Sequence, residues 1–207
     1  MPEQCAIPSL FESNFRLPEK VCIVAPGPNG RGHYRRIPLD YCIVAVSKAI
    51  LIPEVHASVW VMCHSDQDWY REASESFTGT RIFGDAAARN VEADLLAGGS
   101  ESYCFYPPAQ SLLDQVDLSE KAIRTGGSIS ACALQIAYHC GAKDILLCGV
   151  DMSGDAYFDG TLNVQPTHGD TWGAASRVNR LIQWMTTERG LRVRTLTPTR
   201  LEAPQYE

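Results

Sequence analysis

The segment from residue 125 to residue 151 constrains the fold of this chain more than any other stretch. It begins with the glycine-rich turn Thr-Gly-Gly-Ser-Ile-Ser, continues through an apolar segment with helical spacing, and ends in a buried-strand pattern followed by Asp151. A turn, a helix and a strand in this order are typical of an α/β sheet. There, anions bind at helix N-termini and ligands lie at the carboxyl ends of strands. The sequence therefore predicts a ligand site that includes this turn and Asp151.

Apolar runs with strand-like patterns recur along the chain, and helical segments separate them. The predicted strands are residues 20–25, 41–46, 57–63, 80–83, 102–106, 144–150 and 191–196. The predicted helices are residues 67–76, 85–96, 128–140 and 172–189. This alternation predicts an α/β fold, a single Rossmann-like domain whose mostly parallel sheet carries helices on both faces. We expect residues 20–207 to form this domain and residues 1–19, with three prolines and little periodicity, to form an N-terminal arm.

Composition argues against several classes of protein. The net charge of −6 gives no overall basic field that would attract nucleic acid. No apolar run approaches the roughly 18 residues of a membrane span, and the start of the chain has no signal-peptide pattern. The eight cysteines form no CxxC pair, so we expect buried, reduced thiols rather than a zinc site. Reduced cysteines fit a cytoplasmic location.

The turn Ala-Pro-Gly-Pro-Asn-Gly at residues 25–30 follows the first predicted strand. Its glycines would let a ligand approach the backbone closely, and the N–H groups that follow could face an anion. Because prolines interrupt it, the turn is not the GxGxxG fingerprint of dinucleotide-binding proteins. A tight turn without a ligand is the alternative. Arg31, Arg35 and Arg36 follow, and they could hold phosphate or carboxylate or simply lie in a solvated loop.

Two further groups of polar side chains stand at predicted strand or helix ends. The hydroxyls of Thr125, Ser128 and Ser130 lie beside a helix N-terminus, where they could contact a ligand, although helix capping by Ser128 is the simpler interpretation. His64 and Asp66 follow the third predicted strand. They could bind a polar ligand, take part in proton transfer, or cap the next helix.

Residues 151–168 form a long segment without periodicity, and such segments are often functional. Tyr157 could stack on a base or donate a hydrogen bond to a phosphate oxygen. His168 precedes the last predicted helix and could act as a general base near neutral pH. A surface or helix-capping histidine is the alternative for His168.

These features resemble the domain of the motility-associated-factor flagellin glycosyltransferases, a domain type shared with archaeal 6-hydroxymethylpterin pyrophosphokinase. The second half also resembles the bacterial sialyltransferases of glycosyltransferase family 42. The resemblance is dense over residues 125–151. Outside that block it consists of the Gly27-Pro28 turn, the strand end at residues 149–151, Tyr157, His168 and a final helix–strand pair.

The resemblance implies roles for several residues. Tyr157 would meet the phosphate of a nucleotide donor, and His168 would deprotonate an acceptor hydroxyl. The candidate nucleotide-binding residues are Gly27, Pro28, Asn29, Ser47, Thr125, Gly126, Gly127, Ser128 and Asp151. The candidate substrate-binding residues are His64, Asp66 and Arg35. The sialyltransferases carry asparagines where this chain has Pro28 or Asn29, Ser47, and His64 or Asp66, so its donor could differ from CMP-sialic acid.

The function expected from this resemblance is a metal-independent glycosyltransferase. It would use a nucleotide-activated sugar, a CMP-nonulosonate, and a small-molecule or glycan hydroxyl acceptor, with no further cofactor. One alternative is an ATP-dependent pyrophosphokinase for a pterin-like alcohol, with Mg²⁺ held by Asp66 and Asp151. Another is a non-catalytic nucleotide-binding module. The sequence leaves homo-oligomerisation, the acceptor and the linkage open.

Overall fold

The computed structural model describes residues 7–63, 69–84, 101–105, 123–124, 128–152, 156–161 and 174–207. In these ranges the chain forms seven strands: β1 Lys20–Val24, β2 Cys42–Val46, β3 Val59–Met62, β4 Thr80–Gly84, β5 Ser102–Phe105, β6 Asp144–Cys148 and β7 Arg192–Thr195. The α-helices are α1 Trp69–Ser76, α2 Ile129–His139 and α3 Ala174–Thr187. Short 3₁₀ helices occur at Leu10–Glu12, Pro28–Gly30, Tyr34–Arg36 and Ser47–Leu51.

The strands form one seven-stranded sheet in the order β5-β4-β3-β2-β1-β6-β7. Every pairing between neighbouring strands is parallel. From β1 the chain moves outward through β2 to β5 on one side and then returns to place β6 on the other side of β1. The strand order therefore reverses between β1 and β6, and ligands bind in the crevice at such a switch point in open α/β sheets.

The central strands are apolar on both faces because both faces are covered. Val21, Cys22, Ile23 and Val24 of β1 are all fully buried. One face packs against α2 and α3, and the other packs against α1 and the 3₁₀ segments at Tyr34–Arg36 and Ser47–Leu51. Continuous apolar runs are typical of parallel strands buried in this way. The predicted α/β fold, with a parallel sheet and helices on both faces, is confirmed.

The strand ends differ from the sequence prediction for local reasons. β6 ends at Cys148 rather than at residue 150, because Gly149 adopts a left-handed backbone with φ of +69°. Ser128 caps α2 instead of forming its first turn. The helix predicted at residues 172–189 occurs as α3, and Gly190, with φ of +65°, follows its end. The helix predicted at residues 85–96 lies outside the described residues.

Both outer strands of the sheet carry an additional segment of the chain. The Cys104 N–H of β5 donates to the Pro8 carbonyl at 2.9 Å. At the other edge, the Thr195 N–H of β7 donates to the Pro204 carbonyl at 2.9 Å, and the Tyr206 N–H donates to the Thr195 carbonyl at 2.8 Å. The two edges of the sheet are therefore partly hydrogen-bonded to residues outside the seven strands.

The described cysteines form no disulfide, and five of the seven are buried. Burial raises the pKa of the Cys148 thiol to about 12. None of the helices in the described ranges is long and apolar enough to cross a membrane.

Candidate functional site

The backbone leaves β1 and β6 at the switch point, and we call this region the crevice because open α/β sheets bind ligands there. The Gly27 N–H donates to the Gly149 carbonyl at 3.0 Å, so the two strand exits stay hydrogen-bonded beyond the sheet. A Cβ at Gly27 would lie 2.3 Å from the Gly149 oxygen and 2.5 Å from the Asp151 Oδ2. Only glycine fits at this position, because the strand exits and the Asp151 carboxyl occupy the space of a side chain.

Asp151 is the buried carboxyl of this crevice. Its exposed fraction is 4%, and its Oδ2 accepts a hydrogen bond from the Asn29 N–H at 2.8 Å. Its Oδ1 is buried and has no hydrogen-bond partner among the described residues. Burial raises the pKa of Asp151 to about 6, while the bond from Asn29 acts in the opposite direction. The crevice therefore contains a buried carboxyl group with a raised pKa, and one of its oxygens has no hydrogen-bond partner among the described residues.

The turn after β1 does not act as the anion cradle that its sequence suggests. Pro26 and Pro28 have no N–H, and the N–H groups of residues 27 and 29–31 all donate within the protein. The expectation that these N–H groups face an anion is therefore wrong, because Gly149, Asp151 and the turn itself use them. The missing side chain at Gly27 is used in the same way, because Gly149 and the Asp151 carboxyl fill the space that a Cβ would occupy.

Gly149 and two threonines, Thr197 and Thr199, fix the backbone that leaves β6 and leads to Asp151. The Gly149 N–H donates to the Thr197 Oγ1 at 3.0 Å. A Cβ at Gly149 would lie 2.4 Å from the Ala25 carbonyl oxygen. The Thr199 hydroxyl donates to the Val150 carbonyl at 2.5 Å. The segment after β7 therefore fixes the backbone of residues 149 and 150 by hydrogen bonds. The sequence pattern of residues 125–151 alone does not indicate these contacts.

Ser128 lies at the start of α2, close to the Asp151 side of the crevice. Its Oγ accepts from the Ser130 N–H at 3.2 Å, and it lies 3.9 Å from the Met152 Sδ. The capping interpretation of Ser128 is therefore correct, and it places α2 with its N-terminus beside the residue that follows Asp151.

Gln135, fully buried in α2, holds the backbone that precedes the glycine-rich turn. Its Oε1 accepts from the Arg124 N–H at 2.8 Å, and its Nε2 donates to the Arg124 carbonyl at 2.7 Å and the Ala131 carbonyl at 2.9 Å. One side chain thus satisfies both backbone groups of Arg124. Sequence reasoning missed this residue, although a glutamine inside an apolar helix is a visible signal.

Ser47 forms a strained corner at the end of β2. Its φ of +50° lies in the left-handed region, and its carbonyl accepts from the Trp60 Nε1 at 3.0 Å. The next residue, Lys48, pairs with Asp159 at 2.6 Å, and its ammonium lies 5.3 Å from the centre of the Tyr157 ring. Burial raises the pKa of the half-buried Tyr157. The structure therefore brings the candidates Ser47 and Tyr157 into one neighbourhood, with Lys48 between them.

The remaining candidates are either exposed or outside the described residues. Arg35 is exposed and forms a 3.3 Å ion pair with Glu54. The candidates outside the described ranges are His64, Asp66, Thr125, Gly126, Gly127 and His168. Within the described ranges, no three His, Cys, Asp or Glu side chains are grouped as metal ligands.

The fold is similar to that of the sialyltransferase CstII from Campylobacter jejuni. The structure of CstII in complex with the substrate analogue CMP-3FNeuAc gives a TM-score of 0.55 at 13% sequence identity, over 87% of this chain and 82% of that chain. The structure of CST-II in complex with a trisaccharide acceptor and CMP gives 0.53 at 14% identity, over 86% and 82%. At such identities the likeness establishes a shared α/β fold. No known family model matches the chain, and no curated protein matches its sequence significantly.

Proposed function

We propose that this chain is a glycosyltransferase that uses a CMP-activated sugar, a nonulosonate, and a hydroxyl acceptor without a metal ion. The observation that carries the proposal is the crevice between β1 and β6. There a side chain at Gly27 would clash with Gly149 and Asp151, and the buried Asp151 Oδ1 has no hydrogen-bond partner among the residues that the structure describes. Support comes from CstII, which has the same fold and whose structures contain CMP, CMP-3FNeuAc and a trisaccharide acceptor.

In the proposed complex the nucleotide lies along the strand exits. The Asp151 Oδ1 accepts a hydrogen bond from a hydroxyl of the nucleotide donor. The Tyr157 hydroxyl donates to the phosphate, and the N-terminus of α2 faces the same phosphate, because a helix N-terminus favours negative charge. In this arrangement Asp151 recognises an uncharged hydroxyl rather than the phosphate, which a carboxylate would repel.

The proposed reaction has one bond formed and one broken. His168 takes the proton of the acceptor hydroxyl, and the acceptor oxygen forms a bond to the anomeric carbon of the sugar. The bond from that carbon to the phosphate oxygen breaks, and CMP leaves with the electron pair. Tyr157 and the α2 N-terminus stabilise the charge that develops on the leaving phosphate.

A binding screen tests the donor assignment. The shift in melting temperature would be measured with CMP, CDP, UDP, GDP, ADP and ATP, each with and without Mg²⁺. CMP alone should stabilise the fold, by about 2.7 kcal/mol at a concentration about 100 times its dissociation constant. Stabilisation by ATP only in the presence of Mg²⁺ would reject the proposal in favour of a pyrophosphokinase.

A turnover assay tests the assignment of the base. Release of CMP from a CMP-nonulosonate should fall by about 10²- to 10⁴-fold in His168→Ala, while CMP affinity is retained. His56→Ala is the matched control, since His56 is exposed and follows no strand end. Binding of CMP by the wild type without any turnover would instead identify a nucleotide-binding module.

A further inference from the structure

Lys48 and Asp159 form a contact between two distant parts of the chain at the edge of the crevice. The Lys48 Nζ lies 2.6 Å from the Asp159 Oδ2 and donates to the Thr161 Oγ1 at 2.9 Å. The Thr161 N–H and hydroxyl both donate to the Asp159 Oδ1, at 2.9 and 2.7 Å. We call Lys48, Asp159 and Thr161 the clasp. Its two halves are 111 residues apart in sequence.

The clasp holds a short loop that carries Tyr157. The Tyr157 N–H donates to the Thr161 carbonyl, and the Gly160 N–H donates back to the Tyr157 carbonyl, both at 2.9 Å. The Phe158 N–H donates to the Pro26 carbonyl at 2.7 Å. The loop is therefore fixed at two points, by Phe158 to the turn after β1 and by Asp159 and Thr161 to Lys48, and Tyr157 directly precedes the first of them.

The corner at Ser47 delivers Lys48 to this loop. The left-handed backbone of Ser47 and the bond from Trp60 to its carbonyl set the direction in which the chain leaves β2. The Lys48 side chain is only 13% exposed, and the Asp159 side chain is 31% exposed. Burial alone would raise the pKa of Asp159, but hydrogen bonds from Lys48 and Thr161 outweigh it and lower the pKa to about 2.

Stability alone is a poor explanation for a clasp of this kind. Ion pairs at protein surfaces contribute about 0–1 kcal/mol, and taking charges out of water offsets much of the Coulomb energy of a more buried pair. Lys48 also lies 5.3 Å from the Tyr157 ring centre, within reach of a cation–π interaction. The clasp thus restricts both the backbone and the ring of a residue at the crevice.

We propose that Lys48 is a positioning residue that holds Tyr157 in place for ligand binding, through Asp159, Thr161 and the aromatic ring. The role assigned to Tyr157 rests on the proposed function, in which its hydroxyl meets the donor phosphate. Lys48 itself acts on the ligand through Tyr157.

The chain offers a matched control at the opposite end of the sheet. Lys20 begins β1, forms a 2.5 Å ion pair with Asp40, and lies 5.9 Å from the centre of the Tyr41 ring. It repeats the chemistry of Lys48, an ion pair beside a tyrosine, at the amino ends of the strands, far from the crevice. Lys20→Met therefore controls for the loss of a lysine, an ion pair and a cation–π contact.

The first measurement is the affinity for CMP by titration calorimetry. Lys48→Met should weaken CMP binding about tenfold, as expected for coupled neighbours, Lys48→Arg should restore most of it, and Lys20→Met should leave it unchanged. In a Tyr157→Ala background, Lys48→Met should have less than about a twofold effect, because the residue that Lys48 positions is gone. Equal affinities of Lys48→Met and Lys20→Met, or the same loss in both backgrounds, would overturn the proposal.

The second measurement needs no ligand and separates this proposal from the proposed function. Amide hydrogen exchange of Phe158 and Gly160 reports on the loop, since both N–H groups donate within the protein. Lys48→Met should speed their exchange about tenfold or more, while Lys20→Met should not. If the wild type does not bind CMP, the proposed function fails, and exchange decides the clasp. Unchanged exchange in Lys48→Met would then reject it.

Discussion

Asp151→Asn removes the titrating group from the floor of the crevice while keeping its size. In the folded chain burial raises the pKa of Asp151 from 3.8 to about 6. A rise of this size corresponds to about 3 kcal/mol, because one pKa step is worth about 1.4 kcal/mol. Since the residue is only 4% exposed, bulk water screens little of this cost. The carboxylate therefore destabilises the folded state at neutral pH.

The sign of the pH dependence follows from the direction of the shift. The folded state binds the Asp151 proton more tightly than the unfolded state does. This contribution to stability is therefore complete below the unfolded pKa and is lost as the pH rises to the folded pKa. The asparagine variant has no such titration. The free energy of unfolding of Asp151→Asn minus that of wild type should rise by about 2 kcal/mol from about pH 4 to about pH 7 and then stay level.

Urea denaturation of both proteins over this pH range measures the difference directly. Any change in packing or in the bond from Asn29 is common to all pH values, so it does not affect the slope. Asp159→Asn is the control with the opposite shift. The pKa of Asp159 is lowered to about 2, so its difference from wild type should not change between about pH 4 and pH 7. A pH-independent difference for Asp151→Asn would refute the argument.

Three further substitutions test the backbone around the crevice. Gly27→Ala should destabilise the fold more than Gly32→Ala in urea denaturation and should abolish CMP binding. A Cβ at Gly27 meets the Gly149 oxygen at 2.3 Å, whereas one at Gly32 meets only the left-handed strain of about 1–2 kcal/mol. Ser128→Ala should lower the free energy of unfolding by about 1 kcal/mol, and Ser128→Asp should lower it much less, because aspartate can also accept from the helix N–H groups. Equal losses in thermal denaturation would contradict the capping role. Gln135→Leu should lower the free energy of unfolding by about 2 kcal/mol or more and speed amide exchange at residue 124, since it removes the Gln135 bonds to the Arg124 backbone. Unchanged exchange at residue 124 would contradict this role of Gln135.

The strands and the position of Asp151 could be predicted from local patterns. Apolar runs such as that of residues 144–148 are long enough to identify a buried strand, and the residue two places after Gly149 then lies at its carboxyl end. Ser128 follows two glycines and precedes an apolar helix, which indicates an N-cap. These conclusions need only neighbouring residues.

Contacts between distant residues could not be predicted in the same way. The pairing of β6 with β1 cannot be predicted from local sequence patterns. The hydrogen bond from the Asn29 N–H to Asp151 depends on that pairing, so it could not be predicted either. For that reason the sequence left open whether the N–H groups of the turn after β1 face an anion, whereas in the structure they donate within the protein. Lys48 and Asp159 likewise form no local pattern, and their pairing follows from the corner at Ser47 and the path of the loop.

The bonds on the outer sides of β5 and β7 also affect how copies of the chain can associate. The exposed edge of a sheet is a template on which another chain can add a strand, which leads to aggregation or domain swapping. Here a strand arriving at β7 would have to displace Pro204 and Tyr206, and one arriving at β5 would have to displace Pro8. These short segments protect the sheet edges from pairing with other chains. Their loss would expose backbone N–H and C=O groups of β5 and β7 to which a strand of another copy could pair.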